Sequence, residues 1–137
     1  MKNYIDTNLI LASLNENDTN HSKASEVLAM MKDMVTSKVA VLELKSVLSR
    51  TTKLSENEIQ AYEEYLQVLN IAVPEVDMDS VFANAEEIAY KIRMRTLDLL
   101  HLSASLVIRA NTFVTLDMEF AERKNEIRDI GLEVTSL

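Results

Sequence analysis

The sequence predicts a three-layer α/β/α fold, in which helices cover both faces of a short, mainly parallel central sheet. Short apolar segments of strand length alternate along the chain with longer segments of helical period. The chain has only one Gly and one Pro, so it lacks the turn residues that an all-β fold needs. Its 137 residues suit one compact core, and we therefore expect a single domain over residues 1–137.

The first half of the chain is predicted to hold two strands and four helices. Each strand is a short apolar run, and each helix repeats apolar residues at a spacing of three to four. Asn20 or Ser22 is suited to cap the second helix, and Ser55 with Glu58 predicts a capping box at the fourth. The expected elements are a strand at 2–5, helices at 7–14 and about 21–32, a strand at 34–37, and helices at 39–52 and about 56–69.

The second half is predicted to alternate strands and helices. Pro74 cannot donate a ladder hydrogen bond, so the extended segment around it suits the edge of a sheet. We expect Asp79 or Ser80 to open the next helix. Thr96 is expected to cap the helix after that, and Gly131 to precede the last strand. The expected elements are an extended segment at 71–76, helices ending near 93 and 110, a strand at 112–116, a short helix at 118–124 and a strand at 132–136.

Composition excludes several kinds of site. Without cysteine there is no disulfide, thiolate metal site or cysteine nucleophile, and two histidines are too few for a histidine-based zinc site. Asp6 interrupts the start of the chain, which argues against a secretory signal. The most apolar stretch, 97–108, contains Asp98 and is too short to cross a membrane. We therefore expect a cytoplasmic protein with no membrane partner.

The net charge of −8 opposes tight nonspecific binding to nucleic acid. The excess of acids is concentrated in the middle of the chain, however, because residues 59–92 carry seven acids and the single base Lys91. Residues 1–58 and 93–137 are each net −1. An anionic substrate is therefore compatible with a site built from the two outer segments.

Four carboxylates occupy unusual positions in the predicted fold. Asp6 and Asp117 follow predicted strands, so both lie at the carboxyl edge of the sheet, where α/β folds bind ligands. Glu43 shares a helical stripe with Val39, which predicts that it is at least half buried. Asp98 lies in the first turn of a helix that is apolar almost all round. The sequence thus predicts that four distant acids converge.

Each of these acids also has an ordinary explanation. Asp6, Asp98 and Asp117 stand where helices begin, so each is suited to cap a helix or to meet its positive end. The ordinary explanation is weaker for Glu43, because no base lies three or four residues away. A half-buried carboxylate needs compensation, and one shared cation site would compensate all four.

A shared site of this kind favours Mg²⁺ or Mn²⁺. Mg²⁺ prefers oxygen ligands, and two divalent cations would neutralise four carboxylates. Two such charges about 4 Å apart repel by roughly 4 kcal/mol at an effective dielectric near 20, so the site would bind metal or hold a proton. Carboxylates gathered around divalent ions suit hydrolysis of a phosphodiester by an activated water.

At these residues the chain resembles a PIN-domain ribonuclease, and in particular the VapC toxins of toxin–antitoxin pairs. The resemblance covers essentially the whole chain and rests on the order and spacing of four segments rather than on any one of them. The four matching segments are YIDTN at 4–8, VLEL at 41–44, LDLLHLSA at 97–104 and FVTLDMEF at 113–120.

The resemblance implies a function, a set of site residues and a set of partners. It implies that the four acids bind the metal and carry catalysis, and that Asn8 and Thr115 support the site. It also implies metal-dependent RNA cleavage, a homodimer, and inhibition by a small antitoxin whose tail blocks the groove. The acidic segment 59–92 would offer a docking surface to a basic antitoxin or to a second subunit.

Other candidate residues give weaker signals. His101 lies three residues after Asp98 on the same helix face, where it either supports the metal site or is a packed, hydrogen-bonded core histidine. We favour the second interpretation. Four basic residues are candidates for phosphate contacts: Arg93, Arg95, Arg123 and Lys124. Two acids near Asp117, Glu119 and Glu122, are candidates to complete the acidic cluster. For all six we favour the simpler interpretation that they are solvent-exposed helix residues.

Two alternative functions remain open at this point. One keeps the fold without catalysis, as a binding or scaffold protein, and a lack of any response to Mn²⁺ would favour it. The other is a phosphoacceptor signalling domain, which gathers acids around Mg²⁺ but needs adjacent acids after the first strand and a late lysine. Asp6 stands alone and no lysine accompanies Asp117, so the sequence disfavours this second alternative.

Overall fold

The computed structural model describes all of residues 1–137 and contains five strands and eight helices. Helices follow every strand except the last, as the alternation in the sequence predicts. The elements are β1 (Asn3–Ile5), α1 (Thr7–Leu14), α2 (His21–Met30), β2 (Met34–Val35), α3 (Lys38–Thr51), α4 (Glu56–Val68), β3 (Ile71–Ala72), α5 (Met78–Ala89), α6 (Thr96–Val107), β4 (Thr112–Thr115), α7 (Met118–Glu122), α8 (Lys124–Asp129) and β5 (Glu133–Ser136).

The five strands form one sheet in the order β3-β2-β1-β4-β5, and every neighbouring pair is parallel. The chain first builds outward from β1 to β3 and then continues on the other side of β1 with β4. The order therefore reverses between β1 and β4, where Tyr4 is in register with Phe113. A crevice opens beyond the carboxyl ends of strands at such a reversal.

Side chains that point alternately to the two faces of the sheet join it to a helix layer on each side. Tyr4 and Phe113 face one side of the sheet and pack with α5, α6, α7 and α8. Ile5 and Val114, the next residues along, face the other side and pack with α1, α2, α3 and α4. Successive side chains of a strand point to opposite faces, so each central strand contributes to both cores. The predicted α/β/α fold is thus confirmed.

Most elements agree with the sequence prediction, and the capping box of Ser55 and Glu58 is present. β3 lies at the edge of the sheet, as Pro74 indicated. Gly131 precedes β5 with a φ of 100°, a conformation that other residues adopt only with strain. No helix is both long and apolar enough to span a membrane.

The sequence prediction was wrong at several helix ends. Thr96 is the first residue of α6 and does not cap it, because Arg95 occupies the cap position without a side-chain hydrogen bond. Asp77, rather than Asp79 or Ser80, caps α5. The predicted helix at 118–124 is two short helices separated at Arg123, and α2 ends at Met30 rather than near 32. These ends depend on tertiary packing, which local patterns do not record.

The aromatic stack beneath the carboxyl edge should dominate the stability of one core. Phe113 is fully buried and stacks on Tyr4 with ring centroids 5.3 Å apart, and the tilted ring of Phe120 lies 4.6 Å from the Phe113 ring. We expect Phe113→Ala to lower the free energy of unfolding by roughly 3–5 kcal/mol in urea denaturation. Tyr90→Ala, which removes a ring that is 90% exposed, is the control and should cost under about 0.5 kcal/mol. Similar losses for the two variants would contradict this packing.

Candidate metal centre

Asp6 and Asp117 lie at the point where the strand order reverses. Asp6 directly follows β1, and Asp117 follows β4 by two residues. Both have extended backbone and cap the helix that comes next: Asp6 accepts a hydrogen bond from the Thr7 amide, and Asp117 accepts one from the Glu119 amide. The capping explanation is therefore right for these two acids, but each cap occupies only one carboxylate oxygen.

Asp6 is buried, with 4% of the residue exposed, and its two oxygens have different partners. Oδ1 accepts from the Thr7 amide at 2.8 Å. Oδ2 accepts from the Thr115 hydroxyl at 2.7 Å and from the Asn8 amide at 3.1 Å. Burial raises the pKa of Asp6, and the hydrogen bonds from Thr115 and Thr7 oppose that rise. The carboxylate is thus held in one orientation beneath the crevice.

Asn8 and Thr115 join the segments that follow β1 and β4. The Asn8 carbonyl oxygen accepts from the Leu116 amide at 3.2 Å, and its amide nitrogen reaches the Thr115 hydroxyl at 3.3 Å. The same hydroxyl accepts from the Asp117 amide at 2.9 Å. These bonds fix Asp6 and Asp117 relative to each other across the crevice.

Glu43 enters the crevice from α3 and meets His101 of α6. Its side chain is 25% exposed, so the prediction that it is at least half buried is confirmed. Glu43 Oε1 lies 2.9 Å from His101 Nε2, and that nitrogen is 3.9 Å from Asp6 Oδ1. Burial acts to raise the pKa of Glu43, but hydrogen bonds with His101 and Thr7 and the charges of His101 and Arg50 outweigh burial, so the pKa is lowered.

His101 is buried and has a partner at each ring nitrogen. Nδ1 lies 2.9 Å from the Tyr4 hydroxyl, which lies 2.6 Å from the Ser37 hydroxyl. Burial raises the pKa of Tyr4 well above its usual range, so this hydroxyl stays neutral. The expected core histidine is therefore present, and it also touches a predicted site acid.

Of the four acids, Asp98 has the fewest partners to compensate its negative charge. It is half buried in the first turn of α6, and no hydrogen bond of its carboxylate to a protein group is present. Burial, followed by repulsion from Glu119, Asp117 and Asp6, raises its pKa to about 6. Asp98 lies in the first turn of α6 as expected, but no capping hydrogen bond offsets the cost of its burial.

All four predicted acids line one cavity of about 230 Å³, together with Thr7, Asn8 and His101. They are not equally close. The tightest group of ligand atoms belongs to Asp6, Glu43 and His101, whose ligand atoms all lie within 4.8 Å of one another. Asp98 and Asp117 complete the wall of the cavity at longer range.

Sequence reasoning gave too little weight to several residues. Glu119 is half buried and gives the largest charge effect on Asp98, although it was expected to be an exposed helix position. Its place two residues after Asp117 was the only signal. Tyr4 and Ser37 carry no sequence signal for a role near the site, because their contact with His101 depends on tertiary packing. None of the four basic candidates lines the cavity, and Arg123 pairs with Glu126 at 3.8 Å.

The family model described as the PIN domain matches residues 4–126, which is most of the chain. The chain belongs to the PIN-domain family. No curated protein matches this PIN domain in sequence.

Solved structures with the same fold include several toxin–antitoxin proteins. The VapBC2 complex of Rickettsia felis, bound to a DNA fragment from its promoter, is 19% identical with a TM-score of 0.68 over 100% of this chain and 99% of that chain. VapC20 of Mycobacterium tuberculosis, described as a sarcin–ricin loop cleaving toxin, is 16% identical with a TM-score of 0.70 over 88% and 94%. VapBC-1 of Haemophilus influenzae is 18% identical with a TM-score of 0.67 over 99% and 98%. At these identities the likeness shows the fold alone.

The residues of the cavity suit a divalent cation. Their donors to a cation are the oxygens of four carboxylates, the ligand type that Mg²⁺ and Mn²⁺ prefer. The Thr7 hydroxyl lines the same cavity and is the one buried side-chain polar atom without a hydrogen-bond partner. This hydroxyl nevertheless helps to lower the pKa of Glu43, so it lies close to that carboxylate rather than marking an added ligand.

The raised pKa of Asp98 predicts a pH-dependent gain in stability when its charge is removed. A folded-state pKa of about 6, above the ordinary value, means that ionised Asp98 destabilises the fold above pH 6 and that this effect is lost on acidification. We expect Asp98→Asn to stabilise the metal-free protein by roughly 1 kcal/mol at pH 7.5, after allowance for partial exposure, and by less at pH 5. Thermal melts in EDTA measure this.

The control for this experiment is Asp129→Asn, which changes an exposed aspartate at the opposite end of the sheet, just before β5. The gain in stability should occur only in the Asp98→Asn variant and should be smaller at pH 5 than at pH 7.5. An equal gain at both pH values, or in both variants, would show that the repulsion around Asp98 is absent.

Proposed function

We propose that residues 1–137 form one metal-dependent endoribonuclease domain that hydrolyses RNA phosphodiesters, with Mg²⁺ or Mn²⁺ as cofactor. The observation that carries the proposal is the cavity at the strand-order reversal, which Asp6, Glu43, Asp98 and Asp117 all line. The proximity of Asp6 and Glu43 ligand atoms supports metal binding. Membership of the PIN-domain family supports nuclease chemistry. We also propose that the protein acts in the cytoplasm.

Each acid has a distinct task in this proposal. When bound, a divalent cation supplies a water of lowered pKa and stabilises charge on the leaving oxygen. Asp6 and Glu43 hold the cation, with Asp6 fixed in advance by Thr115 and Asn8. Asp98 and Asp117, which line the same cavity, complete the set of metal-binding acids.

Electrostatics limits when this site can bind RNA. Without a cation, four carboxylates around one cavity would repel a phosphodiester, and the net charge of −8 adds to that repulsion. The proposed order is therefore cation first and RNA second. A scaffold protein without catalysis remains the alternative, and a melting temperature that ignores Mn²⁺ would favour it.

We further propose that the protein is the toxin of a type II toxin–antitoxin pair and that a small antitoxin inhibits it. The fold shared with the VapBC structures of Rickettsia felis and Haemophilus influenzae supports this, as those are toxin–antitoxin complexes. The acidic segment 59–92 supports docking of a basic antitoxin, although Glu63 and Glu75 in it already pair with Lys45 and Lys38.

A homodimer is the third part of the proposal, and an exposed apolar face supports it. Leu42 of α3, Phe82 of α5 and Leu97 of α6 are 69%, 53% and 40% exposed around a groove of about 440 Å³. Contiguous exposed apolar surface of this kind marks a protein interface. Glu43 lines both this groove and the acidic cavity, so a second copy seated there would lie beside the active site.

Cleavage of RNA tests the proposed function directly. We expect the purified protein, free of any antitoxin, to cut RNA with Mn²⁺ or Mg²⁺ and to stop when EDTA removes the metal. Asp6→Asn keeps the size and shape of the buried side chain but removes its negative charge, so activity should fall by at least about 100-fold. The measurement is the initial rate on a fluorescent oligoribonucleotide.

Asp129→Asn is the matched control, as it makes the same chemical change at an exposed position away from the cavity. Its rate should equal that of the wild type. If Asp6→Asn cuts as fast as the wild type, the activity belongs to a contaminating nuclease and the proposal fails.

Charge on the apolar face tests the dimer. Phe82→Glu replaces an exposed apolar ring of this groove with a carboxylate, so it should convert dimers to monomers at micromolar concentration, as measured by light scattering after gel filtration. Tyr90→Glu changes an aromatic side chain one residue beyond α5 that does not line the groove, and it should leave the dimer intact. A wild-type monomer, or a Phe82→Glu dimer, would contradict the proposed interface.

A further inference from the structure

One chain of buried hydrogen bonds begins and ends on α3 and passes through His101. It connects the Ala40 amide, the Ser37 hydroxyl, the Tyr4 hydroxyl, His101 and the Glu43 carboxylate. We propose that His101 is a positioning residue that turns Glu43 toward Asp6 and so assembles the metal-binding pair. This inference rests on the proposed metal-dependent function, because it assigns Glu43 its geometry within that site.

The Glu43 end requires a proton on His101 Nε2 whether the imidazole is neutral or charged, and with a neutral imidazole every other bond of the chain also has one direction. An ionised carboxylate can only accept, so His101 Nε2 must carry the proton that reaches Glu43. Nδ1 of a neutral ring then accepts from the Tyr4 hydroxyl. At the other end the Ala40 amide can only donate, and the Ser37 hydroxyl accepts from it as the cap of α3. Ser37 therefore donates to Tyr4, and the chain has one consistent polarity.

Burial makes this polarity rigid. His101 is 2% exposed, Ser37 is 1% exposed and Tyr4 is fully buried, so water cannot replace a lost partner. The Tyr4 ring is held by its stack on Phe113 and by an edge contact with His101 at 6.0 Å. A buried donor that loses its partner costs about 1–3 kcal/mol, and the tautomer of His101 is therefore fixed by its surroundings.

Glu43 depends on His101 more than Asp6 depends on any one partner. Asp6 accepts from Thr7, Thr115 and Asn8, and it has a short side chain at a fixed cap position. Glu43 lies in the middle of α3, has one more rotatable bond, and is held mainly by its 2.9 Å hydrogen bond with His101, with the Thr7 hydroxyl as a weaker second influence. Without that bond the glutamate is free to turn into the adjoining apolar groove or toward solvent, and the distance to Asp6 increases.

The geometry also distinguishes positioning from direct ligation. His101 Nε2 cannot both donate a proton to Glu43 and give its lone pair to a cation. The 2.9 Å contact with the Glu43 carboxylate, which can only accept, assigns a proton to Nε2. His101 therefore stands behind the site and orients an acid that binds the metal, as outer-shell partners of metal ligands do.

Two amides that differ by one methylene test this assignment. The polar atoms of Gln reach the position of Nε2, three bonds from Cβ, whereas those of Asn reach the position of Nδ1, two bonds from Cβ. His101→Gln therefore keeps a donor toward Glu43 and His101→Asn does not. We expect His101→Asn to weaken Mn²⁺ binding by about 10- to 100-fold in calorimetry, and His101→Gln to restore most of that loss.

The controls separate orientation from folding. His21→Gln changes the other histidine, which contacts the Ala12 carbonyl and not the cavity, and it should bind Mn²⁺ like the wild type. If the His101 variants do not fold, Tyr4→Phe carries the test, because it keeps the ring packed on Phe113 and removes only the hydroxyl that fixes the histidine tautomer. It should weaken Mn²⁺ binding by several-fold with little change in secondary structure by circular dichroism.

Three results would overturn the inference. They are equal Mn²⁺ affinity in His101→Asn and wild type, equal loss in the Asn and Gln variants, or a histidine nitrogen bound directly to Mn²⁺ in pulsed EPR of the wild type. Failure of the proposed function looks different. Wild type that binds Mn²⁺ but cuts no RNA contradicts the nuclease alone, since the affinities still test His101. Wild type that binds no Mn²⁺ contradicts both.

Discussion

The carboxylate of Asp6 lies almost wholly out of water at the end of the central strand, and a buried carboxylate is costly unless hydrogen bonds compensate it. The compensating donors come from the start of α1 and from the end of β4, through Thr7, Asn8 and Thr115. They can meet only if β1 and β4 are adjacent and parallel, as they are. The hydrogen bonds that stabilise buried Asp6 therefore require the strand order that reverses between β1 and β4.

The hydrogen bonds that compensate buried negative charge are unevenly shared among the four acids. This difference separates structural from functional roles. Capping accounts for Asp6 and Asp117, because each accepts a backbone amide at the start of a helix. It does not account for Asp98, whose pKa rises to about 6 under burial and repulsion by neighbouring acids. A fold that needed only helix caps would have no reason to bring a third and a fourth carboxylate to the same cavity. Unrelieved repulsion of this kind is typical of functional sites.

Much of the fold could be predicted from the sequence, because it follows from local patterns. Tyr4 and Ile5, or Phe113 and Val114, are adjacent apolar residues that serve opposite cores, as two covered faces require. Acids after predicted strands were expected at one edge, and Asp6 and Asp117 line one cavity there. The contact of His101 with Tyr4 could not be predicted, since it joins residues 97 positions apart and depends on how α6 packs. The break between α7 and α8 was missed for the same reason.

Identities of 16–19% alongside TM-scores of 0.67–0.70 have a physical explanation. A core needs apolar side chains of suitable volume rather than particular ones, so many sequences fill the same layers. A site for a divalent ion is less tolerant, because charge, length and orientation must all be right within fractions of an ångström. A shared fold is consequently weak support for shared chemistry. The functional argument for this chain rests instead on Asp6, Glu43, Asp98 and Asp117, which line one cavity in a crevice that the strand order creates.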